Sequence, residues 1–392
     1  MKKFELKVKK SNLILYFILL SIIFENKLFY LVKVDNIIFK IITIIFIFFA
    51  FFITANKKEF NKKIYMYIGL VIIFIFIFQF LYSIFFLKYP IYEFLAESFR
   101  FLFIFAIPSF IYIFKNRQLN IRFWKNMKII SFIQYLINII AIIILQTKGI
   151  NITTKNFSYR SFGNVNVSIF GDSIFLPIIM IFSFYQILKE KEKTKWSDIF
   201  IIVFGLSNFS LIAKSRAITI SFLLSAFIMF IFSEGRKFLK ITVMIITVIY
   251  GYYYCFKYNL LNNIFSLKEG SFASSNQGHL IAIQECWNYF LKHPLLGAGL
   301  NLDWPVSYCD AGLMGLLANV GIIGAIIIYI FPLLKFTLIA IKQKFLFKKK
   351  YPILYFGYLS FLYLTSITLI MTDDVRMYGF VFILSIFYVL TN

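Results

Sequence analysis

The sequence predicts an all-α integral membrane protein, a polytopic helical bundle of about twelve transmembrane helices. Of its 392 residues, 61% are apolar, and the mean hydropathy is +0.83. Soluble domains are nearer roughly 45–50% apolar. Apolar runs of about 20 residues, the length that crosses a bilayer, recur along the chain. No Gly/Ser- or Pro-rich linker interrupts them, so residues 1–392 are expected to form a single membrane domain.

The apolar runs define the predicted spans in chain order. The first half of the chain contributes the runs 11–24, 36–55, 64–87, 93–114, 129–145 and 166–188. The second half contributes the runs 199–213, 217–232, 241–256, 312–334, 353–371 and 375–391. Only Lys214-Ser215-Arg216 separates the seventh run from the eighth, so that division is the least distinct.

Lys and Arg are distributed unevenly between the connecting segments. Of the 41 such residues, 27 fall in the segments 1–10, 56–63, 115–128, 189–198, 233–240 and 335–352. The alternate connections hold 12, and the other two lie within spans. Because cytoplasmic loops are enriched in Lys and Arg, the richer set and both termini are expected in the cytoplasm. The formal charge of +24 reflects this topology, and without a basic domain nucleic-acid binding is not expected.

The two longest connections on the predicted outer side, 146–165 and 257–311, are the expected location of the functional site. Long loops held by a rigid bundle commonly carry function. Neither a nucleoside triphosphate nor a sugar nucleotide is expected at the outer face, and the sequence has no Gly-rich phosphate loop. An enzyme there needs a substrate that is already activated, for which a lipid-linked pyrophosphate is the obvious candidate.

The chain has three cysteines, and their spacing is not that of a metal site. Cys286 and Cys309 fall in the same outer loop, where they are able to form a disulfide. Free thiols are nevertheless the favoured state for both, as for Cys255.

The stretch from Gly278 to Gly324 is the most patterned part of the sequence. An amphipathic helix on the membrane surface is predicted over 279–292, because apolar residues recur there at three- and four-residue steps, at Leu280, Ile283, Trp287 and Leu291. Pro294 ends it, since proline disfavours the helical conformation in the residue before it. Glycines follow that allow a tight turn and close helix approach, at 297, 299, 312, 315, 321 and 324.

This stretch resembles the conserved block of the O-antigen polymerase and ligase superfamily. The block has a short surface helix, His-Pro-Leu-Leu-Gly-Ala-Gly, a loop, and a spanning helix with Gly-Ile-Ile-Gly. Two upstream pieces fit the same family, Tyr-Arg-Ser-Phe-Gly-Asn at 159–164 and Lys-Ser-Arg-Ala at 214–217. The motifs together cover residues 159–324. The resemblance implies a GT-C-like glycosyltransferase of the bacterial cytoplasmic (inner) membrane that needs no metal or other cofactor.

The resemblance favours a polysaccharide polymerase for O-antigen, capsule or a similar glycan. Such an enzyme moves a growing glycan from polyprenyl pyrophosphate onto another lipid-linked repeat unit. Expected partners are that lipid-linked oligosaccharide and membrane lipid, and the sequence leaves a chain-length regulator protein open. Two alternatives also stay open, a ligase-type glycan transferase and a flippase for lipid-linked oligosaccharide. Against the ligase, that branch has a histidine where this chain reads Tyr308-Cys309-Asp310. Against the flippase, transporters often have internal repeats, which the two halves of this sequence do not show.

Arg160, Lys214 and Arg216 are the residues expected to bind the pyrophosphate. In the family, the arginine of the Ser-Arg motif and one in the preceding outer loop are held to bind the lipid pyrophosphate, and Arg216 and Arg160 occupy the matching positions. Arginine offers a planar fork of donors that matches phosphate oxygens. The alternative is that both arginines reach the membrane interface or pair with a carboxylate.

His279 and Asp310 are the catalytic candidates. His279 stands where the family commonly has an arginine, and a histidine can contact phosphate when protonated or act as a general base. Asp310 is placed to accept a proton from the attacking sugar hydroxyl, as carboxylates do in glycosyl chemistry. His293 belongs to the His-Pro motif and is expected to cap or pack at the helix end.

Two further charged groups stand out. Asp373, Asp374 and Arg376 lie between the last two spans, where they either position the acceptor sugar or form an ordinary solvated loop with an ion pair. Glu97 and Arg100 lie three residues apart within the fourth span and are expected to pair on one helix face.

Overall fold

The structure, a computed structural model, describes residues 10–25, 36–55, 62–147, 160–162, 165–167, 175–189, 196–209, 216–233, 273–300, 311–342, 353–368 and 374–391. Its helices are α1 (Lys10–Glu25), α2 (Asn36–Ala55), α3 (Lys62–Phe86), α4 (Ile91–Lys115), α5 (Arg117–Thr147), α6 (Phe175–Lys189), α7 (Trp196–Ser207), α8 (Arg216–Phe232), α9 (Ala273–Lys292), α10 (Leu313–Ile341), α11 (Ile353–Thr368) and α12 (Asp374–Thr391). A short antiparallel hairpin, β1 (Arg160–Phe162) and β2 (Val165–Val167), pairs Arg160 with Val167.

Within the described residues, three helices are long and apolar enough to cross a membrane, namely α3, α4 and α10. The shorter helices also follow predicted apolar runs, and α2 covers the run 36–55 without a shift. The described part of the chain is thus helical, as predicted, with the long apolar helices of a helical membrane protein. The predicted run 241–256 lies outside the described residues.

Several boundaries differ from the sequence prediction. Helix α5 begins at Arg117, within the predicted connection 115–128, and α10 continues to Ile341 beyond the predicted end at 334. Two further differences lie in the segments with the predicted motifs. A span is predicted from 166, but residues 165–167 form β2 and α6 begins only at Phe175. The Gly163-Asn164 pair between the strands is a signal for a two-residue hairpin, which here overrides the apolar run. The surface helix begins at Ala273, earlier than predicted, because its first residues are polar and carry no apolar period. It ends at Lys292, as the following His293-Pro294 predicts.

Helix α12 lies at the centre of the bundle. Every residue from Met377 to Phe387 is buried. The rings of Tyr378 and Phe382 pack edge-to-face on Phe110 of α4, with centroids 5.3 and 4.9 Å apart. Such aromatic pairs add about 0.5–1.5 kcal/mol beyond the burial of their surface. A helix that is buried on all sides requires neighbours all round, and α12 therefore fixes where the surrounding helices stand.

Three helices begin at the same end of the bundle. Phe232, the last residue of α8, stacks on Phe356 near the start of α11 with centroids 5.1 Å apart, so these helices run antiparallel. Gly312, just before α10, lies so close to the end of α11 that an added Cβ would be 2.4 Å from the Ser366 carbonyl oxygen. Helix α12 begins shortly after α11 ends. The starts of α8, α10 and α12 therefore share one end, which we call the Asp374 end.

Candidate functional site

The connection after α9 inserts into a break in α10. Gly321 has φ 66° and ψ −175°, which lies outside the helical region, so α10 stops there and restarts at Ile322. The sequence predicts that Gly321 lets helices approach closely, whereas the structure assigns it to a helix break. We call the loop 293–300 together with this break the junction.

The loop supplies acceptors for the amides that the break leaves without a helical partner. In a continuous helix, the amides of Ile322 and Ile323 would donate to the carbonyls of residues 318–319. Here they donate to the carbonyls of Pro294 at 2.9 Å and Leu295 at 3.3 Å. The second half of α10 therefore begins with its first amides paired, as the buried start of a helix requires.

The same loop supplies donors for the carbonyls on the other side of the break. The amide of Ala298 donates to the Ala318 carbonyl at 2.7 Å, and the amide of Gly299 donates to the Asn319 carbonyl at 3.1 Å. Four bonds to the loop thus replace two missing bonds of the helix. Because irregular backbone at membrane depth is tolerated only where it is paired and buried, this replacement is what makes the break possible.

Two glycines make the close approach possible. An added Cβ on Gly297 would lie 2.5 Å from the backbone carbon and oxygen of Asn319, and one on Gly321 would lie 2.2 Å from the Leu295 carbonyl oxygen. Both residues also have positive φ, +75° and +66°, which side chains rarely tolerate. The tight turn that the sequence predicts at Gly297 is confirmed.

Side chains of α3 hold the loop from the other side. Gln79 is fully buried, and its Nε2 donates to the Leu296 carbonyl at 2.7 Å. The Leu300 amide donates to Oγ of Ser83 at 3.4 Å. Both side chains come from π-helical turns, the first of which covers Phe74–Gln79. Such turns within helices frequently occur at functional sites, because they direct side chains away from the regular spacing.

His293 ends α9 and joins it to the same helix. Its Nδ1 and the Tyr82 hydroxyl form a hydrogen bond of 3.1 Å. Its amide donates to the carbonyls of Tyr289 and Phe290 in the last turn of α9. His293 therefore has the packing and capping position that the sequence predicts. Tyr89 adds a further contact, since its hydroxyl donates to the Ala298 carbonyl at 2.9 Å.

A buried polar network completes the junction. Glu97 and Arg100 form an ion pair at 3.2 Å, which confirms the predicted pairing, and the Arg100 side chain is 5% exposed. With the Asn319 amide oriented to suit both neighbours, its oxygen accepts from Arg100 Nη2 at 2.7 Å and its nitrogen donates to the Gly299 carbonyl at 2.8 Å. A buried cation needs such pairing to be tolerated. The network therefore connects α4, the broken helix and the loop.

Helix α9 packs on α10 through small residues. Ala282 and Cys286 are buried and form a cluster with Ala311 and Ala318. His279 precedes Ala282 by three residues and Cys286 by seven, so the three side chains share one face of α9. The partly buried His279 thus lies on the face directed towards α10.

The large apolar residues of α9 point elsewhere. Their exposed fractions are 44–57% at Leu280, Trp287 and Leu291. These residues form the apolar stripe that predicts an amphipathic helix, and Ile283 alone among that stripe packs against the small-residue cluster. An exposed apolar stripe of this kind is what a helix lying on a membrane surface presents to lipid.

Cys286 carries a free thiol, as expected. Burial, with a smaller contribution from the neighbouring Glu285 carboxylate, raises the pKa of the Cys286 thiol to about 11. A buried, protonated thiol is unreactive, so Cys286 serves packing. Cys255 and Cys309 lie outside the described residues.

Three of the predicted site residues lie at the starts of helices that share the Asp374 end. Arg216 is the first residue of α8, and Asp374 and Arg376 lie in the first turn of α12. Arg160 is in β1, and residues 168–174, which connect the hairpin to α6, lie outside the described residues. Phe175, the first residue of α6, packs on Tyr378 near the start of α12 with ring centroids 5.3 Å apart, so α6 begins at this end too.

The remaining predicted residues lie at positions that the structure does not describe. Lys214, Asp310 and Asp373 lie outside the described residues. Each adjoins a described segment at the Asp374 end, since they precede Arg216, Ala311 and Asp374 in the chain. The structure brings together the starts of α8, α10 and α12, and the roles of these three residues stay predictions.

Sequence reasoning missed several residues of the junction, namely Gln79, Tyr82, Ser83, Tyr89 and Asn319. A signal was available for Gln79, because it is the one amide side chain in the apolar run 64–87 and polar side chains at membrane depth are costly to place. The same signal marks Asn319, which is the one amide side chain in the apolar run 312–334. No comparable signal marks Tyr82, Ser83 or Tyr89, whose roles become visible only with their partners.

No model of a known protein family and no curated protein matches this chain. The class that the structure supports is that of a helical membrane protein with a discontinuous helix clamped by a loop. The motif resemblance therefore supplies the activity only as a proposal.

Proposed function

We infer that the chain is an integral membrane glycosyltransferase, a polysaccharide polymerase. It would transfer a growing glycan from polyprenyl pyrophosphate to another lipid-linked repeat unit at the outer face of the bacterial cytoplasmic membrane. The observation that supports this proposal is that α8, which begins at Arg216, and α12, which begins at Asp374, start at the same end of the bundle. Arg160 is expected there because it precedes α6, which also begins at this end. Twelve spans with both termini in the cytoplasm would place that end outside, as the distribution of Lys and Arg favours.

The reaction is a displacement at an anomeric carbon. The acceptor hydroxyl attacks that carbon, the bond to the pyrophosphate oxygen breaks, and the pyrophosphate leaves with the electron pair. Arg160, Lys214 and Arg216 would stabilise the departing charge, which is often the largest catalytic contribution. His279 or Asp310 would take the proton of the acceptor hydroxyl. Asp373, Asp374 and Arg376 would position the acceptor sugar.

The junction supports this function through rigidity. The loop is fixed at residues 293–300, and the chain is fixed again at Ala311, where α9 packs on α10. Asp310 adjoins the second fixed point, and His279 lies on the face of α9 directed towards α10. Catalytic groups need supporting contacts that hold them to within about 0.5 Å. The two fixed points would give such support to the segments on either side of Asp310.

The break in α10 also bears on the flippase alternative, because transporters bind ions and substrates at discontinuous helices. In transporters the unwound carbonyls are available to the cargo. Here the carbonyls of Ala318 and Asn319 accept from the loop, and that of Val320 lies 3.5 Å from Gln79 Nε2. This pairing supports a fixed scaffold over a transport site. The ligase alternative is disfavoured by the absent histidine near Asp310.

The test is the surface glycan of a bacterial strain that lacks this chain and is complemented with variants. We expect wild type to restore long chains, and Arg216→Ala or Arg160→Ala to leave single repeat units on the surface acceptor despite normal expression. Arg117→Ala is the matched control, since Arg117 is an exposed arginine at the start of α5 and should not affect the chains. If the strain without this chain makes long glycans that stay on the lipid carrier, the protein is a ligase. If neither single units nor long glycans reach the outer face in that strain, it is a flippase.

A further inference from the structure

A cleft runs between α3 and the second half of α10, from the start of α3 to the edge of the junction. Its first part is a cavity of about 500 Å³ lined by α3, α10 and the end of α12, including Tyr67, Phe331 and Tyr388. A second cavity of about 600 Å³ continues it towards Phe78 and Leu296. The two cavities share lining residues, so they form one groove along α3.

The walls of the groove are apolar. Met66, Leu70 and Phe331 are 71%, 49% and 58% exposed. The Tyr67 hydroxyl adds little polarity to the cavity, because it donates to the Ile328 carbonyl at 2.9 Å. That carbonyl belongs to the π-helical turn of α10. From Lys63 to Phe78 the groove follows about 22 Å of helix, at ~1.5 Å per residue. One leaflet fills about half of the ~30 Å hydrocarbon core, so the groove is long enough for an acyl chain of one leaflet.

The charge at one mouth of the groove is positive. Lys63 at the start of α3 and Lys335 in α10 both line the first cavity, and no acidic residue is among the described residues that line it. Lys115 adds a positive charge near the same cavity, since its Nζ lies 5.7 Å from the ring centroid of Tyr388, which lines the cavity. The Lys and Arg distribution assigns this mouth to the cytoplasmic side, where the leaflet is rich in anionic lipids.

We propose that the groove binds an anionic phospholipid, with its phosphate between Lys63 and Lys335 and an acyl chain along α3. Two lysines that line one end of an apolar groove match a phosphate joined to an acyl chain, and basic pockets between transmembrane helices bind such head groups. The bound lipid would fill the space between α3 and α10, and so support the helix that carries the junction. This proposal does not depend on the glycosyltransferase activity.

The test compares lipids and lysine pairs in purified protein kept in neutral detergent. Phosphatidylglycerol at saturating concentration is expected to raise the thermal unfolding midpoint of wild type by about 5 °C, and phosphatidylcholine to raise it far less. Lys63→Ala with Lys335→Ala should abolish most of that shift. Lys62→Ala with Lys342→Ala is the matched control, because both residues are exposed, neither lines the cavities and the charge change is the same.

A second variant tests the acyl-chain part of the groove. Gly69 lines the second cavity, and a Cβ added there meets nothing within 4 Å, so Gly69→Leu fills the groove without disturbing the fold. We expect it to reduce the phosphatidylglycerol shift although both lysines remain.

Three results would overturn the proposal. Equal losses in the two lysine pairs would mean that lipid contacts the basic surface generally. An equal shift with phosphatidylcholine, which has no net charge, would mean that the lysines do not select an anionic head group. A shift with polyprenyl phosphate but none with phosphatidylglycerol would assign the groove to the carrier lipid.

Discussion

The amide of Ile322 and the carbonyl of Ala318, which would bond to each other in a continuous helix, are bonded instead to Pro294 and Ala298 of one inserted loop. The loop therefore occupies the place of a missing helical turn. An interrupted helix in a membrane normally leaves polar backbone without water to pair it. In this protein the His-Pro-Leu-Leu-Gly-Ala-Gly segment pairs both sides of the break, so its first role is structural.

The glycines of the junction should be irreplaceable. Gly321→Ala places a methyl group 2.2 Å from the Leu295 carbonyl oxygen at positive φ, which alone costs about 1–2 kcal/mol. We expect loss of folded protein or a large fall in thermal stability, measured by size-exclusion chromatography of heated, detergent-solubilised protein. Gly278→Ala is the control, because nothing lies within 4 Å of its added Cβ. Wild-type stability of Gly321→Ala would show that α10 is continuous.

Gln79 should contribute through its bond to the loop. Gln79→Leu keeps the approximate shape but leaves the Leu296 carbonyl without this donor, so we expect a loss of about 1–3 kcal/mol in unfolding free energy. The comparison is Gln118→Leu on exposed α5, which should stay within about 0.5 kcal/mol of wild type. Equal effects of the two changes would argue against a specific role for Gln79.

The ion pair of Glu97 and Arg100 should behave as a coupled unit. Glu97→Gln leaves the buried guanidinium without its carboxylate, which we expect to cost about 3 kcal/mol. Arg100→Leu combined with Glu97→Gln should cost clearly less than the two single changes together, because no buried charge then remains. A thermodynamic cycle from denaturant unfolding measures this coupling, and additivity within about 0.5 kcal/mol would refute it.

The two histidines should separate structure from activity. His293→Ala and Tyr82→Phe each remove the same 3.1 Å hydrogen bond, so we expect each to lower stability by about 1 kcal/mol and the pair to be non-additive. His279→Ala should shorten the surface glycan, according to the proposed function, with a smaller effect on stability. Unfolding curves and glycan ladders measure the two effects separately. A changed glycan in His293→Ala protein of wild-type stability would contradict this assignment.

The Cys286 thiol should resist modification in folded protein. Because its pKa is raised to about 11, the protonated thiol persists at neutral pH, and maleimide labelling should rise roughly tenfold per pH unit towards pH 11. The measurement uses a Cys255→Ser, Cys309→Ser background so that one thiol is observed. A raised thiol pKa favours folding below the unfolded value of about 8.5, and this contribution is lost as pH rises through about 11. Rapid labelling at pH 7 would contradict the burial of Cys286.

The sequence by itself determined the helices and several local features. Apolar runs predict α2 and the long helices α3, α4 and α10, because a spanning helix needs about 20 apolar residues wherever it stands. Pro294 predicts the end of α9, and the spacing of Glu97 and Arg100 predicts their pairing, since both effects act within one turn of helix.

Only the tertiary structure decided how the junction is built. Gln79 and Leu296 are 217 residues apart, and nothing local indicates that one pairs with the other. Gly321 reads as a small residue for helix packing, and it becomes a break only because residues 294–299 supply the backbone bonds that the helix gives up. Helical bonds are local and can be predicted from the residues that make them. The bonds of the junction join distant segments, so they exist only once the bundle has brought those segments together.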